Sequence, residues 1–301
     1  PSAGMGEFTR AFGGNAEHIN FEKDLLTGKI LSHIHADDKD SKVKIEGFET
    51  IESRYNNYFD VVSSNIPFGE MSVFDADFMK KDKLHRDSTR SIHNYFFVKG
   101  VESLREGGIM AFITSQGVLN SPNNEAVRSW LMQNTNLVSA IRLPNNLFTD
   151  YAGTEVGSDL IVLQKNTAKK GLNFGEDLFV QSSPLPITGI HNNDYFYNFS
   201  RVVQTKAFID TDPYGKPAQV FIHEGGIDGI ASDVRKMLDS DLTQSLNIDL
   251  YNQHIQEQSQ AQVLPQQGQE EKPSVPLEVN VSEPVMSLYD LFEFTQEERT
   301  Q

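Results

Sequence analysis

As far as about Lys165, short apolar runs alternate with helix-length amphipathic stretches. That alternation predicts a mostly parallel sheet with crossover helices. The runs at 18–22, 59–64, 109–114, 137–143 and 159–164 are the strand candidates, and 92–104 and 124–133 are helix candidates. The first of these helices follows the polar pair Ser88-Thr89, and Tyr95, Phe96 and Phe97 within it should lie in the core. Between 109 and 164 the order is Gly-Gly, strand, helix, strand, turn, strand.

Periodicity weakens beyond residue 168. Within 169–250 the clearest element is a helix at 233–246, with Val234, Met237, Leu238 and Leu242 at helical spacing. The expected division is a domain at 1–168, a small accessory region at 169–250 packed on it, and a tail at 251–301. Gln, Glu, Pro and Ser dominate the tail as far as about Pro284, leaving too few apolar residues to offset the entropy of ordering. A disordered acidic linker is therefore expected. The segment 287–294, with Leu288, Leu291 and Phe292 at helical spacing, reads as a short amphipathic piece that folds against a partner or a following domain. There are no internal repeats.

Composition narrows the picture. A chain of 301 residues with 38% hydrophobic content and a mean hydropathy of −0.43 suits a folded core with a solvated remainder. No run approaches the ~18 apolar residues of a membrane span. The absence of cysteine removes disulfides and thiolate metal sites and is compatible with a cytosolic setting. A net charge of −16 argues against a self-sufficient DNA binder, because phosphate contacts carry most non-specific affinity. From Tyr251 onward nine acidic residues face only Lys272 and Arg299, a net of −7, so −9 falls on the first 250 residues. The basic cluster of Lys80, Lys81, Lys83, His85, Arg86 and Arg90 could contact phosphates. It could equally be a solvated loop balanced by Asp75, Asp77, Asp82 and Asp87. The histidines, His33 and His35 included, show no metal-ligand spacing, and no metal is expected.

The candidate chemistry lies in two places. PSAGMGEF holds Gly4 and Gly6, which permit backbone conformations and close ligand approach that a side chain would block. Glu22 ends the next apolar run, where an acid can accept from ribose hydroxyls. FDVVSSNIPFG, residues 59–69, is an apolar run ending in Asn65-Ile66-Pro67-Phe68. Pro67 holds Ile66 extended and fixes the turn.

These residues resemble the Asn-Pro-Pro-Tyr/Phe amino-methyltransferases, in particular the N6-adenine DNA methyltransferases. The form N-[I/V]-P-F-G also resembles the methyltransferase part of large methyltransferase–helicase proteins of phages and mobile elements. SIHNYFFVKGVESLREGGIMAFITSQGVLNS and IRLPNNLFTDYAGTEVGSDLIVLQK are similar to later parts of the same family's sheet. The resemblance covers roughly residues 1–165. It implies a Rossmann-like α/β fold and methyl transfer from S-adenosylmethionine to adenine N6 in DNA, without a covalent intermediate. The partners implied are DNA and a helicase domain of the same longer chain, in a cytoplasmic bacterial, phage or mobile-element protein.

In that family the Asn side chain and the next carbonyl, here Asn65 and Ile66, hold the amine. Pro67 fixes the turn, and the ring of Phe68 stacks on an extruded base. Pro1, Ser2, Ala3, Gly4, Gly6, Glu22 and Phe48 would hold the cofactor, and Lys80, Lys81, Lys83 and Arg86 would meet the substrate. The family usually has Pro at position 66, but the functional atom there is a carbonyl, which Ile also carries. It often has an acid where Gly47 stands, a role open to Glu46 or Glu49, and Phe48 is either a cofactor-stacking ring or a core aromatic. Pro1-Ser2 occupies the turn after a first strand, so the chain is expected to be a fragment lacking that central strand, and unstable or inactive by itself.

Other readings stay open. The same site logic serves methylation of protein glutamine or RNA, and a degenerate module could bind nucleic acid without catalysis. A nicotinamide dehydrogenase fits poorly, because position 9 is Thr where the third glycine should be and the 59–68 segment has no role in it.

Overall fold

In the computed structural model, residues 1–12, 16–149, 153, 155–211, 215 and 217–253 are described. The expected linker beyond 253 and the segment 287–294 lie outside them. In chain order the elements are α1 (Glu7–Phe12), β1 (His18–Phe21), α2 (Leu25–Ile34), β2 (Ser41–Lys44), β3 (Phe59–Asn65) and α3 (Lys83–Ser88). There follow α4 (Ile92–Ser103), β4 (Leu104–Ser115), α5 (Gly117–Asn120), α6 (Glu125–Asn134), β5 (Thr135–Leu143) and β6 (Ser158–Lys165). The last third holds α7 (Phe174–Val180), the pair β7 (Ser182–Pro184) and β8 (His191–Asn193), the hairpin β9 (Lys206–Thr211) and β10 (Pro217–Ile222), and α8 (Gly226–Ser245).

The main sheet has the order β3-β4-β6-β5. β3 and β4 run parallel, while β6 lies antiparallel to both neighbours. β1 and β2 form a separate parallel pair. Between the two units the chain start acts as a clasp: Ala3 donates its amide to the Phe21 carbonyl, and the Ser64 hydroxyl donates to the Pro1 carbonyl. Beside this clasp lies a cavity of about 100 Å³, lined by Ile19 and Phe21 on one side and Val61 and Ser63 on the other. Neither β1 nor β3 has a second strand partner among the described residues.

Both faces of the main sheet are covered, which explains why its strands read as near-continuous apolar runs. On one face Met110, Phe112, Ile161 and Leu163 pack with Tyr95 and Phe97 of α4, Leu131 of α6 and Phe179 of α7. On the other, Ile109, Ala111, Leu160 and Val162 meet Ile230, Leu238 and Leu242 of α8. The result is a three-layer α/β arrangement. β4 starts earlier than its apolar run suggests, because Leu104 already pairs with Phe59 ahead of Gly107-Gly108. α8 likewise starts before residue 233: Gly229, which looks like a helix breaker, leaves room for the packed His223 ring, and Ile230 extends the buried stripe. No helix among the described residues is long and apolar enough to cross a membrane.

Candidate functional site

The clasp brings the two sequence motifs together. Ser64 and Pro1 are 63 residues apart in the chain, yet their 2.7 Å hydrogen bond sets the glycine turn beside the end of β3. Gly4 takes a φ of +57°, in the left-handed region, and a side chain there would meet nothing within 4 Å. Its amide donates to one oxygen of Glu22 at 2.9 Å, and the amide of Asp24 donates to the other at 2.9 Å. Glu22 therefore locks the turn while each oxygen keeps acceptor capacity. Gly6, at φ +86°, has a different task, because a Cβ there would collide with Leu31 and His35. It serves the packing of α2 rather than an approach to ligand.

At the neighbouring strand end, Asn65 is exposed, and its side-chain amide has no hydrogen-bond partner among the described residues. Ile66 turns inward, 1% exposed, and its amide donates to the Ile113 carbonyl at 2.9 Å. The Ile66 carbonyl accepts no hydrogen bond among the described residues. Pro67 and the partly exposed Phe68 follow. The Phe68 ring lies 6.2 Å from His93, tilted by 30°, and 6.0 Å edge-on from Phe148. An amide oxygen, a free carbonyl and an aromatic face thus share one open strand edge.

Other expected residues are placed differently. Phe48 is a core ring, 4% exposed, packed against Phe21, Tyr95 and Phe96, so it offers little face to a ligand. Over Gly47, where a Cβ would overlap it, lies the Glu49 carboxylate, which pairs with Lys23 at 2.7 Å. Glu46 instead accepts from the Thr50 hydroxyl.

Much of the basic cluster is spent internally. Lys81 pairs with Glu102, Lys80 with Asp77, Arg90 with Asp87, and Arg86 donates to the Lys81 carbonyl. His85 sits between Asp82 and Glu102. The hydrogen bond that His85 donates to Glu102 leads the causes that raise its pKa, burial opposes it, and Asp82 adds to the rise.

Two residues that local pattern left in the background prove central. Asp75, read as part of a solvated loop, is 4% exposed and accepts from the Tyr95 hydroxyl at 2.7 Å, Lys99 at 3.0 Å and the Asp77 and Phe78 amides. It ties the far end of loop 66–77 to α4. His93, in the first turn of α4, is 7% exposed and hydrogen-bonds through Nδ1 to the Thr114 hydroxyl at 2.9 Å. Burial pulls its pKa down to about 4.

A three-layer α/β core carrying a nucleoside-type glycine turn beside an Asn-x-Pro-aromatic strand end defines a methyltransferase-class protein. The open space over Gly4 and the carboxylate of Glu22 fit S-adenosylmethionine, whose ribose hydroxyls seek an acidic acceptor. The N-6 DNA Methylase family model matches residues 27–185, and the chain belongs to that family. No curated protein matches the chain.

Among solved structures, the type I restriction enzyme EcoKI M protein shares 13% identity at a TM-score of 0.42, covering 82% of this chain and 64% of that one. A chain assigned as the modification subunit of a type I restriction enzyme from Vibrio vulnificus shares 15% at 0.42, covering 68% and 46%. The type IIG restriction endonuclease BpuSI shares 13% at 0.40, covering 81% and 28%. The chain spans less than two thirds of each. Membership rests on the family match.

Proposed function

We propose that this protein transfers a methyl group from S-adenosylmethionine to the N6 amine of adenine in DNA. The observation that carries the reading is the Ser64–Pro1 bond, because it sets a nucleoside-binding turn beside an unpaired amide and carbonyl. Family membership supports the choice of DNA adenine over protein glutamine or RNA. The resemblance of Asn65-Ile66-Pro67-Phe68-Gly69 to methyltransferase–helicase proteins supports a setting within a larger DNA-modification or antirestriction protein that carries a helicase domain.

The adenine amine is a weak nucleophile, since its lone pair is delocalised into the ring. Asn65 Oδ1 and the Ile66 carbonyl would accept hydrogen bonds from its two N–H groups and favour the tetrahedral nitrogen, which gives up one proton to solvent once it carries the methyl. Phe68 stacks on the base, which must leave the duplex to reach the strand edge. When bound, S-adenosylmethionine supplies an electrophilic methyl on sulfur. Glu22 accepts from the ribose hydroxyls and the Gly4 turn lets the backbone approach. Glu49, paired with Lys23, suits the exocyclic amine of the cofactor's adenine better than the buried Phe48 suits its ring. Lys83 and the outward faces of Lys80 and Arg86 remain the candidates for phosphate contact.

Transfer of labelled methyl to unmethylated DNA, with product nucleosides identified, tests the reading. Label in N6-methyladenine that disappears in Asn65→Ala supports it. Label in protein or RNA, or none in a protein that binds the cofactor, overturns it.

A further inference from the structure

His93 lies outside every motif by which the site is recognised, yet it touches the site's key ring. Its imidazole is tilted 30° from the plane of Phe68 at 6.2 Å between centroids, within the range where offset aromatic rings attract. The same imidazole is anchored by a hydrogen bond. Nδ1 meets the hydroxyl of Thr114, which is fully buried, and Thr114 directly follows Ile113, the residue whose carbonyl holds the Ile66 amide. One short stretch at the end of β4 therefore fixes both the Asn65-Ile66 turn, through Ile113, and the surface beneath Phe68, through Thr114 and His93. The start of α4 is secured in turn by the Ile92 amide donating to the Met71 carbonyl, inside loop 66–77.

Resting on the adenine-methylation reading above, we propose that His93 is a positioning residue: it backs the Phe68 ring and sets the plane on which the extruded base stacks. An imidazole suits the place because it combines a ring with a hydrogen-bonding nitrogen at Nδ1. A phenyl ring would stack but leave the Thr114 hydroxyl without its partner; a glutamine would keep the hydrogen bond but give no ring. Burial, which pulls its pKa to about 4, keeps the imidazole uncharged under the phenyl face at neutral pH. Phe148 packs on the same ring at 72°, 6.0 Å between centroids, so Phe68 is held between two rings.

Steady-state methylation of unmethylated DNA by wild type, His93→Phe, His93→Gln, His93→Ala and Thr114→Val, alongside melting temperature and cofactor Kd, tests this. A loosened ring plane acts after the duplex is bound. His93→Ala is therefore expected to lower kcat by about 10- to 100-fold, with the KM for DNA and the cofactor Kd within about twofold. His93→Phe should recover much of that loss and His93→Gln little of it. Thr114→Val, which leaves the imidazole in place but unanchored, should fall between and should not add to His93→Ala. If kcat falls only as the folded fraction falls, or if Gln rescues and Phe does not, His93 is an ordinary core residue. If wild type itself puts no label into adenine, the functional reading fails and this inference falls with it. If wild type methylates and the folded His93 variants match its kcat, only the inference is overturned.

Discussion

The amide of Ile66 donates to the carbonyl of Ile113 across the end of the β3–β4 ladder, at 2.9 Å. Proline, which the family usually carries at this position, has no amide to give. The substitution therefore adds a ladder bond and a core side chain while leaving the carbonyl free of any hydrogen bond among the described residues. Ile66→Pro should lose both gains, a cost of about 2–4 kcal/mol from the unpaired Ile113 carbonyl and the lost packing. Chemical denaturation measures it. Asn65→Ala, at an exposed position, should stay within about 0.5 kcal/mol of wild type while abolishing methyl transfer.

Asp75 is the second anchor of loop 66–77, and its removal should be felt in stability and, on the proposed function, in activity. Asp75→Ala leaves the buried ammonium of Lys99 without a counter-charge, a loss of about 3–5 kcal/mol. Burial works against the ionised form of Asp75, but the hydrogen bonds from Tyr95, the Phe78 amide and Lys99 outweigh it and hold its pKa below the usual range. The folded carboxylate thus holds its proton less tightly than the unfolded one. Its stabilisation is present above the ordinary aspartate pKa and disappears as pH falls through the lowered value. Acid titration of stability should be shallower in Asp75→Asn than in wild type.

The imidazole of His85 behaves in the opposite sense. Its pKa is raised, so the folded state binds its proton more tightly than the unfolded chain does. The associated stability is fully present below the unfolded value near 6.5 and disappears as pH rises through the folded pKa. Wild type should therefore lose stability on the alkaline side of pH 6.5 relative to His85→Gln, which cannot titrate. Equal slopes in the two proteins would contradict the ion-pair role of Asp82 and Glu102.

Much of this layout is legible in the order of residues, and what is hidden has a common cause. The apolar runs that mark β1, β3, β5 and β6 stand out because buried strands demand them, and Asn65-Ile66-Pro67-Phe68 stands out because its chemistry is local. Asp75 reads as a loop acid because its partners, Tyr95 and Lys99, lie 20 and 24 positions away. His93 hides inside an aromatic helix for the same reason: its value comes from Thr114, on another strand. Phe48 and the lysine cluster show the converse. A ring or a charge that looks available along the chain is already used by neighbours that only folding supplies.

Arg142 and Asp159 are both fully buried, joined by paired hydrogen bonds at 2.8 and 3.0 Å, and Arg142 also reaches Asn192 and Asn120 and lies over the Phe196 ring. The pair fastens β5 to β6 and both to the segment around β8. Arg142→Lys cannot reproduce the fork or the stacking and should destabilise markedly. Arg142→Met, which strands the Asp159 charge, should cost about 3–5 kcal/mol, and the double change Arg142→Met, Asp159→Leu should cost less than the single one. A double change as damaging as the sum of its parts would contradict the pairing.

Glu22 carries two duties that separate by substitution. It closes the Gly4 turn through one oxygen and, on the proposed function, accepts ribose hydroxyls through what remains of its acceptor capacity. Glu22→Gln keeps one carbonyl oxygen for the Gly4 amide, gives up the acceptor of the exposed Asp24 amide and loses the charge, so the Gly4 turn persists while a charge-assisted hydrogen bond to the cofactor is lost. Such a bond contributes about 1.5–3 kcal/mol, which corresponds to a cofactor Kd raised by about 10- to 100-fold. Gly4→Ala tests the turn itself: with φ at +57°, a side chain costs about 1–2 kcal/mol in backbone strain although nothing stands in its way. Calorimetric titration of both variants with S-adenosylmethionine should show Glu22→Gln weakening affinity at nearly unchanged melting temperature. Gly4→Ala should lower the melting temperature as well. A Glu22→Gln protein that binds the cofactor as tightly as wild type would confine Glu22 to holding the turn.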